Sequence, residues 1–443
     1  MPRGPFCLDG FSNVDWHTYF VTFVLAETQI SVTIRLGHRK SPVLPTSATL
    51  CYNSITLKRF NLILLFAVAW SAITFTLVSA DPPDPSAPPD PAIQPFSPPI
   101  IAAWLQYTRA VPGPLSVIIA PRVTAYNEVS PHSYTIEADG HLTVNNSVAD
   151  AVLIDFARLN GIRYLPTISS GWDNGPRLLR IFSDPKLRTD HVNAILNIAR
   201  QSNVDGIDLD YENLPPEARQ PYTDFVTTLA AALHQEGKIL SVTVPPKVRA
   251  DDPCSFCRFA DYATLGAVVD RFRVMGYEYH GKSGGPGAIA PVWWMRQVMS
   301  YTVSVVPHNK VSLGIHLYGY DWGGADTPAL WWNQVQELKK KYDGVVSYPA
   351  PDARGSVGES VMTYTISTKM HCPYFIVQCP SLQENHTVWF VDSHYVSETL
   401  KIVQDLDLGG IVMWRPGGED PGIWNILAPT AIASPRFDDL SGF

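Results

Sequence analysis

The sequence predicts an α/β protein built as a TIM (β/α)8 barrel, and two features of the chain carry that expectation. From about residue 100, short β-rich runs alternate with longer stretches of helical periodicity, the pattern of a parallel sheet whose strands are joined by crossover helices. The runs number eight, the count at which such a sheet closes on itself.

Taken in order, the strands are expected at 115–121 (Leu-Ser-Val-Ile-Ile-Ala-Pro), weakly near 133–137, at 162–169 (Ile-Arg-Tyr-Leu-Pro-Thr-Ile-Ser) and at 204–212. The remaining four follow at 239–245 (Ile-Leu-Ser-Val-Thr-Val-Pro), 270–277, 311–318 and 409–414. Amphipathic stretches such as 188–202 and 219–236 place apolar residues at helical spacing between them. An ordinary barrel needs about 250 residues, and this body is longer, with the excess at 323–392, between strands seven and eight. That segment opens on a helical pattern, Ala329–Lys341, and continues with β-like runs at 344–349, 360–366, 373–378 and 387–391. It reads as a small α+β insertion walling one side of a cleft.

Residues 204–212 read Val-Asp-Gly-Ile-Asp-Leu-Asp-Tyr-Glu. On a strand, side chains alternate faces, so Asp208, Asp210 and Glu212 share one side while Ile207, Leu209 and Tyr211 share the other. Like charges so close oppose one another, and one of the acids should keep its proton well above the usual carboxylate range. A protonated carboxyl beside ionised neighbours is what acid catalysis on an acetal requires. A solvated edge strand would mix the signs of its charges, and this run is all acid. A calcium loop starting at Asp208 would need Gly and Glu where Asn213 and Arg219 stand. In a barrel the strand's carboxyl end opens onto the active face. Asp208 should therefore lie deepest and Glu212 at the rim, about 13 Å apart along the strand.

The 443 residues are 46% hydrophobic and 17% charged, with a formal net charge of −8. That composition supports a large core, and no basic stripe suggests nucleic acid as a partner. Twelve Trp and 19 Tyr fit core packing, and they also fit the stacking platforms of a sugar cleft. Histidines are scattered without metal-ligand spacing, so neither a metal nor a cofactor is expected, and the protein is expected to be a monomer.

Near the N-terminus, Lys58-Arg59 precede an uncharged apolar stretch, Phe60–Val78, that ends in Ser79-Ala80. This is the pattern of a secretory signal peptide cleaved after Ala80. The stretch is long for one, so a retained membrane anchor over 57–80 is the alternative. Residues 1–56 fit neither reading, and the expectation is that translation starts at Leu57 through a non-AUG codon, leaving 1–56 outside the native protein. Residues 81–99 hold nine Pro in 19 positions, an extended spacer reaching roughly 60 Å. The globular barrel is expected over 100–436, in a protein secreted or held at the cell surface. Of six cysteines, Cys254, Cys257, Cys372 and Cys379 fall in the exported part. Disulfides Cys254–Cys257 and Cys372–Cys379 are the expected pairing, with a zinc site from the same residues as the rival.

With these residues in place, the chain resembles the family 18 glycoside hydrolases, the chitinases and N-acetylglucosaminidases. The signature Asp-x-x-Asp-x-Asp-x-Glu is met by Asp205, Asp208, Asp210 and Glu212. Met275-Gly-Tyr-Glu278 is similar to the strand-six motif, which usually ends in Asp, and Trp414 occupies the place of the strand-eight Trp that floors a subsite. The likeness covers residues 115–425. It points to the bacterial spore-cortex-lytic type in particular, through Met275–His280, Gly284–Gly287, Leu317–Trp322, Val388–Phe390 and Trp414–Asp420.

The resemblance implies hydrolysis of β-1,4 linkages in N-acetylglucosamine glycans, whether chitin, peptidoglycan or spore cortex, with help from the substrate's own acetamido group. It gives Glu212 the role of acid, Asp210 that of cation stabiliser and Asp208 that of its partner. Tyr277 then holds the acetamido oxygen, and Trp414, Glu278 and Asp205 are grouped with substrate binding. Glu278 is one methylene longer than the usual Asp, and Asp205 beside Gly206 also fits a structural place at the strand's start. A non-catalytic, lectin-like saccharide binder on the same barrel is the alternative, although such members typically lose the acid that stands here as Glu212. Gly281-Lys-Ser283-Gly-Gly285 matches a serine-nucleophile pattern, but that elbow must run directly into a helix, and Gly-Pro-Gly follows instead.

Overall fold

The computed structural model describes residues 99–107, 115–145, 147–171, 174–201, 203–350, 358–369 and 381–427, and the backbone of three N-terminal strands. The chain divides into two units, Met1–Pro89 and Asp90–Phe443. In the first, Tyr19–Ala26, Gln29–Leu36 and Ala48–Leu50 pair as an antiparallel sheet in sequence order. The leader expected at 57–80, residues 81–98 of the Pro-rich spacer, and Cys372 and Cys379 lie outside the described residues. Among the described residues, no helix is long and apolar enough to cross a membrane.

The second unit is a closed parallel barrel. Its strands are Ile100–Leu105, Glu128–Ile136, a third in two pieces (Arg163–Tyr164 and Thr167–Ser169) and Gly206–Asp210. Ile239–Val244, Arg271–Met275, Val311–His316 and Gly410–Trp414 complete the set. Each pairs in parallel with the next, and the eighth returns to the first.

Strand one corrects the sequence-based expectation. The run 115–121 is a short helix, Ser116–Ile119, followed by a 3-10 turn over Ala120–Ala125. Leu115 and Ile119 are buried while Val117 between them is 52% exposed, the one-sided burial of a helical turn. A barrel strand covered on both faces would bury all three. The strand that closes the barrel lies upstream, against Pro98 and Pro99, where the spacer's composition masks it. Strand two is longer than expected because its inward residues, Glu128, Ser130 and His132, are polar and break the hydrophobic pattern. Strand three splits at Pro166, which cannot donate a ladder hydrogen bond.

Two packed layers follow from the alternation. Ile101, Ala103, Leu105, Ile207, Leu209, Leu240 and Val242 belong to the large core between barrel and helices. Ala102, Trp104 and Val412 form a separate small cluster, with Met275 and Trp414 packed against it. The rest of the barrel's inner face is strongly polar.

The insertion between strands seven and eight is a five-stranded antiparallel sheet in the order Ala329–Trp331, Tyr318–Trp322, Ser381–Phe390, Ser360–Lys369, Val345–Ser347. One helix, Trp332–Tyr342, packs on it around Val335, Met362, Tyr364, Val388 and Phe390. The sheet starts at Tyr318, earlier than the expected boundary, because the chain leaves strand seven straight into it. Residues 329–331, expected as helix, form a strand instead. The β-like run at 373–378 lies outside the described residues.

Candidate active site

Strand four carries its alternation into the lumen. Ile207, Leu209 and Tyr211 are fully buried on the outward face. There the Tyr211 hydroxyl bonds His191 Nε2 at 2.7 Å and its ring stacks on Phe182. The other face presents Asp208, Asp210 and, just past the strand's end, Glu212. Asp208 is sealed, Asp210 is 7% exposed and Glu212 is more open, so exposure rises toward the mouth.

Asp208 is saturated with donors. Its Oδ1 receives Ser241 Oγ at 2.5 Å and lies 3.2 Å from a guanidinium nitrogen of Arg273. Its Oδ2 receives Trp104 Nε1 at 2.9 Å and Thr167 Oγ1 at 3.0 Å. The same Arg273, wholly buried, reaches Glu128 at 3.1 Å, and Arg271 reaches Glu128 at 2.8 Å. Burial alone would raise the Glu128 carboxyl, but Arg271, Arg273 and Arg163 outweigh it and hold that carboxyl below its ordinary value.

Asp210 sits one layer higher and lacks such partners: its Oδ1 is buried with no hydrogen bond. Burial, then the charges of Glu212 and Asp208, push its carboxyl well above the usual range. Glu212 is raised from 4.5 to about 7, first by burial and then by the charge of Glu278. Its backbone is fixed from two sides. The Glu212 N–H donates to Ser170 Oγ at 3.0 Å, and a Cβ at Gly175 would stand 2.2 Å from the Glu212 carbonyl oxygen. Only glycine lets the helix Gly175–Ser183 start flush against this turn.

Above these acids opens a cleft of about 1230 Å³ at the carboxyl ends of the strands. Asp210, Glu212, Tyr277, Glu278 and Trp414 all line it. Tyr277 is nearly buried, and burial, followed by Asp210, Glu212, Glu278 and Asp208, raises its hydroxyl far above its ordinary value, so it remains an O–H donor. Glu278 takes a left-handed backbone (φ 67°) and accepts from the Tyr320 hydroxyl at 2.8 Å and from the Tyr318 hydroxyl. The longer side chain is thus anchored to the insertion. Trp414 ends strand eight, its ring 5.2 Å from that of His132. Burial lowers His132 to about 4, so that ring is neutral at ordinary pH.

One expected binding residue is not brought to the cleft. Asp205 lies before Gly206 at the opposite end of strand four, where its Oδ2 accepts the Tyr164 N–H at 2.8 Å. It buckles strands three and four together and cannot touch a ligand in the mouth. Cys254 and Cys257 are bridged, with Cα atoms 5.6 Å apart, on the loop that brings Phe256 to the cleft wall. Ser283 is exposed in a loop whose next helix starts only at Val292, so it forms no nucleophile elbow.

Sequence reasoning missed several side chains of this site. Trp104 lies on the unforeseen strand one. Arg273 and Glu128 resemble surface residues until the lumen is known. Tyr318 and Tyr320 alternate within the Leu317–Trp322 motif, and that i, i+2 spacing is the signal that could have found them.

Comparison with known proteins returns one consistent answer. The family model described as glycosyl hydrolases family 18 matches residues 107–419. A Bacillus subtilis (strain 168) protein named as a sporulation-specific glycosylase, YdhD, is 26% identical over 312 residues, covering 67% of this chain and 69% of its own. The cortical fragment-lytic enzyme of Bacillus anthracis is 28% identical over 256 residues, covering 56% of this chain and 54% of its own, so the match spans about half of that protein. Among solved structures, a class V chitinase from Pseudomonas fluorescens Pf-5 superposes with a TM-score of 0.63 at 26% identity, over 75% of this chain and 98% of its own. The family match starts just past strand one, ends beyond Trp414 and takes in every residue lining the cleft except Trp104 and Gln106: this chain belongs to family 18 of the glycosyl hydrolases and is a glycosidase.

Proposed function

We propose that the protein is a retaining hydrolase of β-1,4-linked, N-acetylglucosamine-containing glycans that works by substrate assistance. The observation that carries this reading is the graded acid series: a partnered Asp208, an Asp210 carboxyl raised by burial and by its acidic neighbours, and a Glu212 poised near neutrality at the mouth. In this scheme Glu212 gives its proton to the glycosidic oxygen as the bond to the anomeric carbon breaks. The sugar's own acetamido oxygen closes on that carbon, forming an oxazolinium ion. The acetamido N–H would satisfy the partnerless Asp210 Oδ1, and Tyr277 would donate to the acetamido oxygen. Glu212, now a carboxylate, takes a proton from the water that reopens the ring, and two inversions at one carbon leave the configuration retained. Trp414 would stack beneath the sugar. Relatives named for cortex fragments and for chitin share the N-acetylglucosamine unit on which this chemistry depends. Export through residues 57–80 would bring the protein to such glycans.

The test compares oligomers that differ only at C2. Chitin oligomers should be cleaved with retention, and cellulose oligomers of equal length should not. Efficient cleavage of the cellulose series would rule out self-assistance. Binding of chitin oligomers without hydrolysis would favour the lectin-like alternative.

A further inference from the structure

Among the described residues lining the cleft, one lysine or arginine is present, Arg415, against the acids Asp210, Glu212, Asp252 and Glu278. Arg415 directly follows Trp414 at the end of strand eight, and its guanidinium lies 4.6 Å from the centre of the Trp331 ring. Trp331 is itself fixed: its backbone pairs with Tyr318 across the insertion sheet, and its N–H donates to Gln334 Oε1 at 2.9 Å. The arginine therefore rests on a rigid aromatic platform.

Its electrostatic position is unusual within this barrel. Arg271 and Arg273 share Glu128, whereas Arg415 has no carboxylate within ion-pairing distance among the described residues. It is also partly withdrawn from water, enough for burial to lower its pKa from the ordinary value. A half-buried guanidinium without a counter-charge is costly to keep, and its fork of donors matches a carboxylate.

We infer that Arg415 binds a carboxylate carried by the saccharide unit next to the one on Trp414. The cleft would then take an acidic N-acetylglucosamine glycan, such as peptidoglycan strands with free lactyl ether groups, in preference to neutral chitin. The inference rests on the glycosidase reading above. The acids of the wall sharpen the choice: Glu278, held by Tyr318 and Tyr320, and Asp252 repel an anion where they stand, which leaves Arg415 as the one cationic group among the described lining residues to receive it.

The experiment uses the full chain and three tetrasaccharide probes: chitin tetramer, stem-free peptidoglycan strands with free lactyl carboxylates, and the same strands capped as neutral methylamides. Wild type should show the highest kcat/KM on the free carboxylates, and capping should cost about tenfold, as loss of a charge-assisted bidentate contact does. R415Q should reduce the ratio of kcat/KM between free carboxylates and chitin by a similar factor of about ten, chiefly through KM. R415K should fall between the two. Turnover of chitin by each variant reports that it is folded, and the capped probe needs no variant at all. Strands that keep their peptide stems distinguish the source of the charge: an Arg415-dependent preference for them would place the carboxylate on the stem and still support the inference. Equal rates on capped and free strands, or a ratio unmoved by R415Q, would overturn it. Wild type that cleaves none of the probes would instead bring down the glycosidase reading and this inference with it.

Discussion

Asp208 and Asp210 leave the same strand on the same face, two residues apart, and meet opposite surroundings. The lower lumen is a sealed layer in which every charge has a partner: Asp208 with Arg273, Ser241, Thr167 and Trp104, and Glu128 with Arg271 and Arg273. The upper lumen withholds partners. Asp210 Oδ1 has none, and the Glu212 backbone rather than its carboxyl is held, by Ser170. One residue type thus serves two purposes, set by environment. Below, paired charges fix the geometry. Above, acids short of donors are raised from their ordinary values, Glu212 to about 7, where its proton can be moved. The two layers are coupled, since the charge of Asp208 adds to burial and to Glu212 in raising the Asp210 carboxyl.

The sharpest way to break the upper layer is Glu212→Gln. Turnover should fall by on the order of 10³-fold, as loss of a general acid does, while the fold is retained. The same variant should gain stability, by an amount that depends on pH. Burial raises Glu212 in the folded state from 4.5 to about 7, so the folded protein holds a proton that the unfolded chain has already released. The stability this contributes is fully present below about pH 4.5 and is lost as pH rises through about 7. Glutamine never ionises. The melting temperature of the variant should therefore match wild type near pH 4, exceed it increasingly as pH rises from about 4.5 to about 7, and keep a nearly constant lead above that. A gap that does not change with pH would mean that Glu212 titrates normally.

The lower layer should break differently. Arg273→Met strips a cation from two buried carboxylates and should cost about 3–5 kcal/mol of stability in chemical denaturation. Adding Glu128→Gln should recover part of that loss, because one of the two stranded charges is then removed. A loss below about 1 kcal/mol would show that this lower layer, the plug of the barrel, is not held by charge. Asp210→Asn probes the boundary between the layers: kcat should drop by about 10²-fold, as for a lost electrostatic stabiliser, with little change in stability. A loss of stability as large as that of Arg273→Met would assign Asp210 to the plug.

The same contrast explains what could be read in the chain beforehand. Asp208, Asp210 and Glu212 were legible because strand periodicity alone places them on one face, and the outward residues between them are plainly apolar. The plug was not, because arginines and a glutamate inside a barrel carry the sequence signature of a solvated surface; only closure of the eight strands puts them indoors. Strand one escaped for a different reason. Ile100–Leu105 follows a proline-rich tract, while the β-branched run at Val117–Ile119 has the composition of a strand and the one-sided burial of a helix. Trp104 was lost with that strand, and with it a donor that fixes Asp208.

The smallest expected effect separates the two causes that raise Glu212. Burial acts first and the charge of Glu278 second. Glu278 is itself held to the insertion by the Tyr318 and Tyr320 hydroxyls, so its distance from Glu212 depends on the packing of that sheet against the barrel. Replacing it with glutamine keeps an acceptor for the two tyrosines and removes the charge. The alkaline limb of kcat/KM, expected near pH 7 for wild type, should then move to lower pH by a few tenths of a unit, because a negative neighbour no longer opposes ionisation of Glu212. Any contact that Glu278 makes with the sugar changes the height of the profile and not the position of that limb. A limb that stays in place would leave burial as the sole cause, and the insertion would then shape the cleft without tuning its acid.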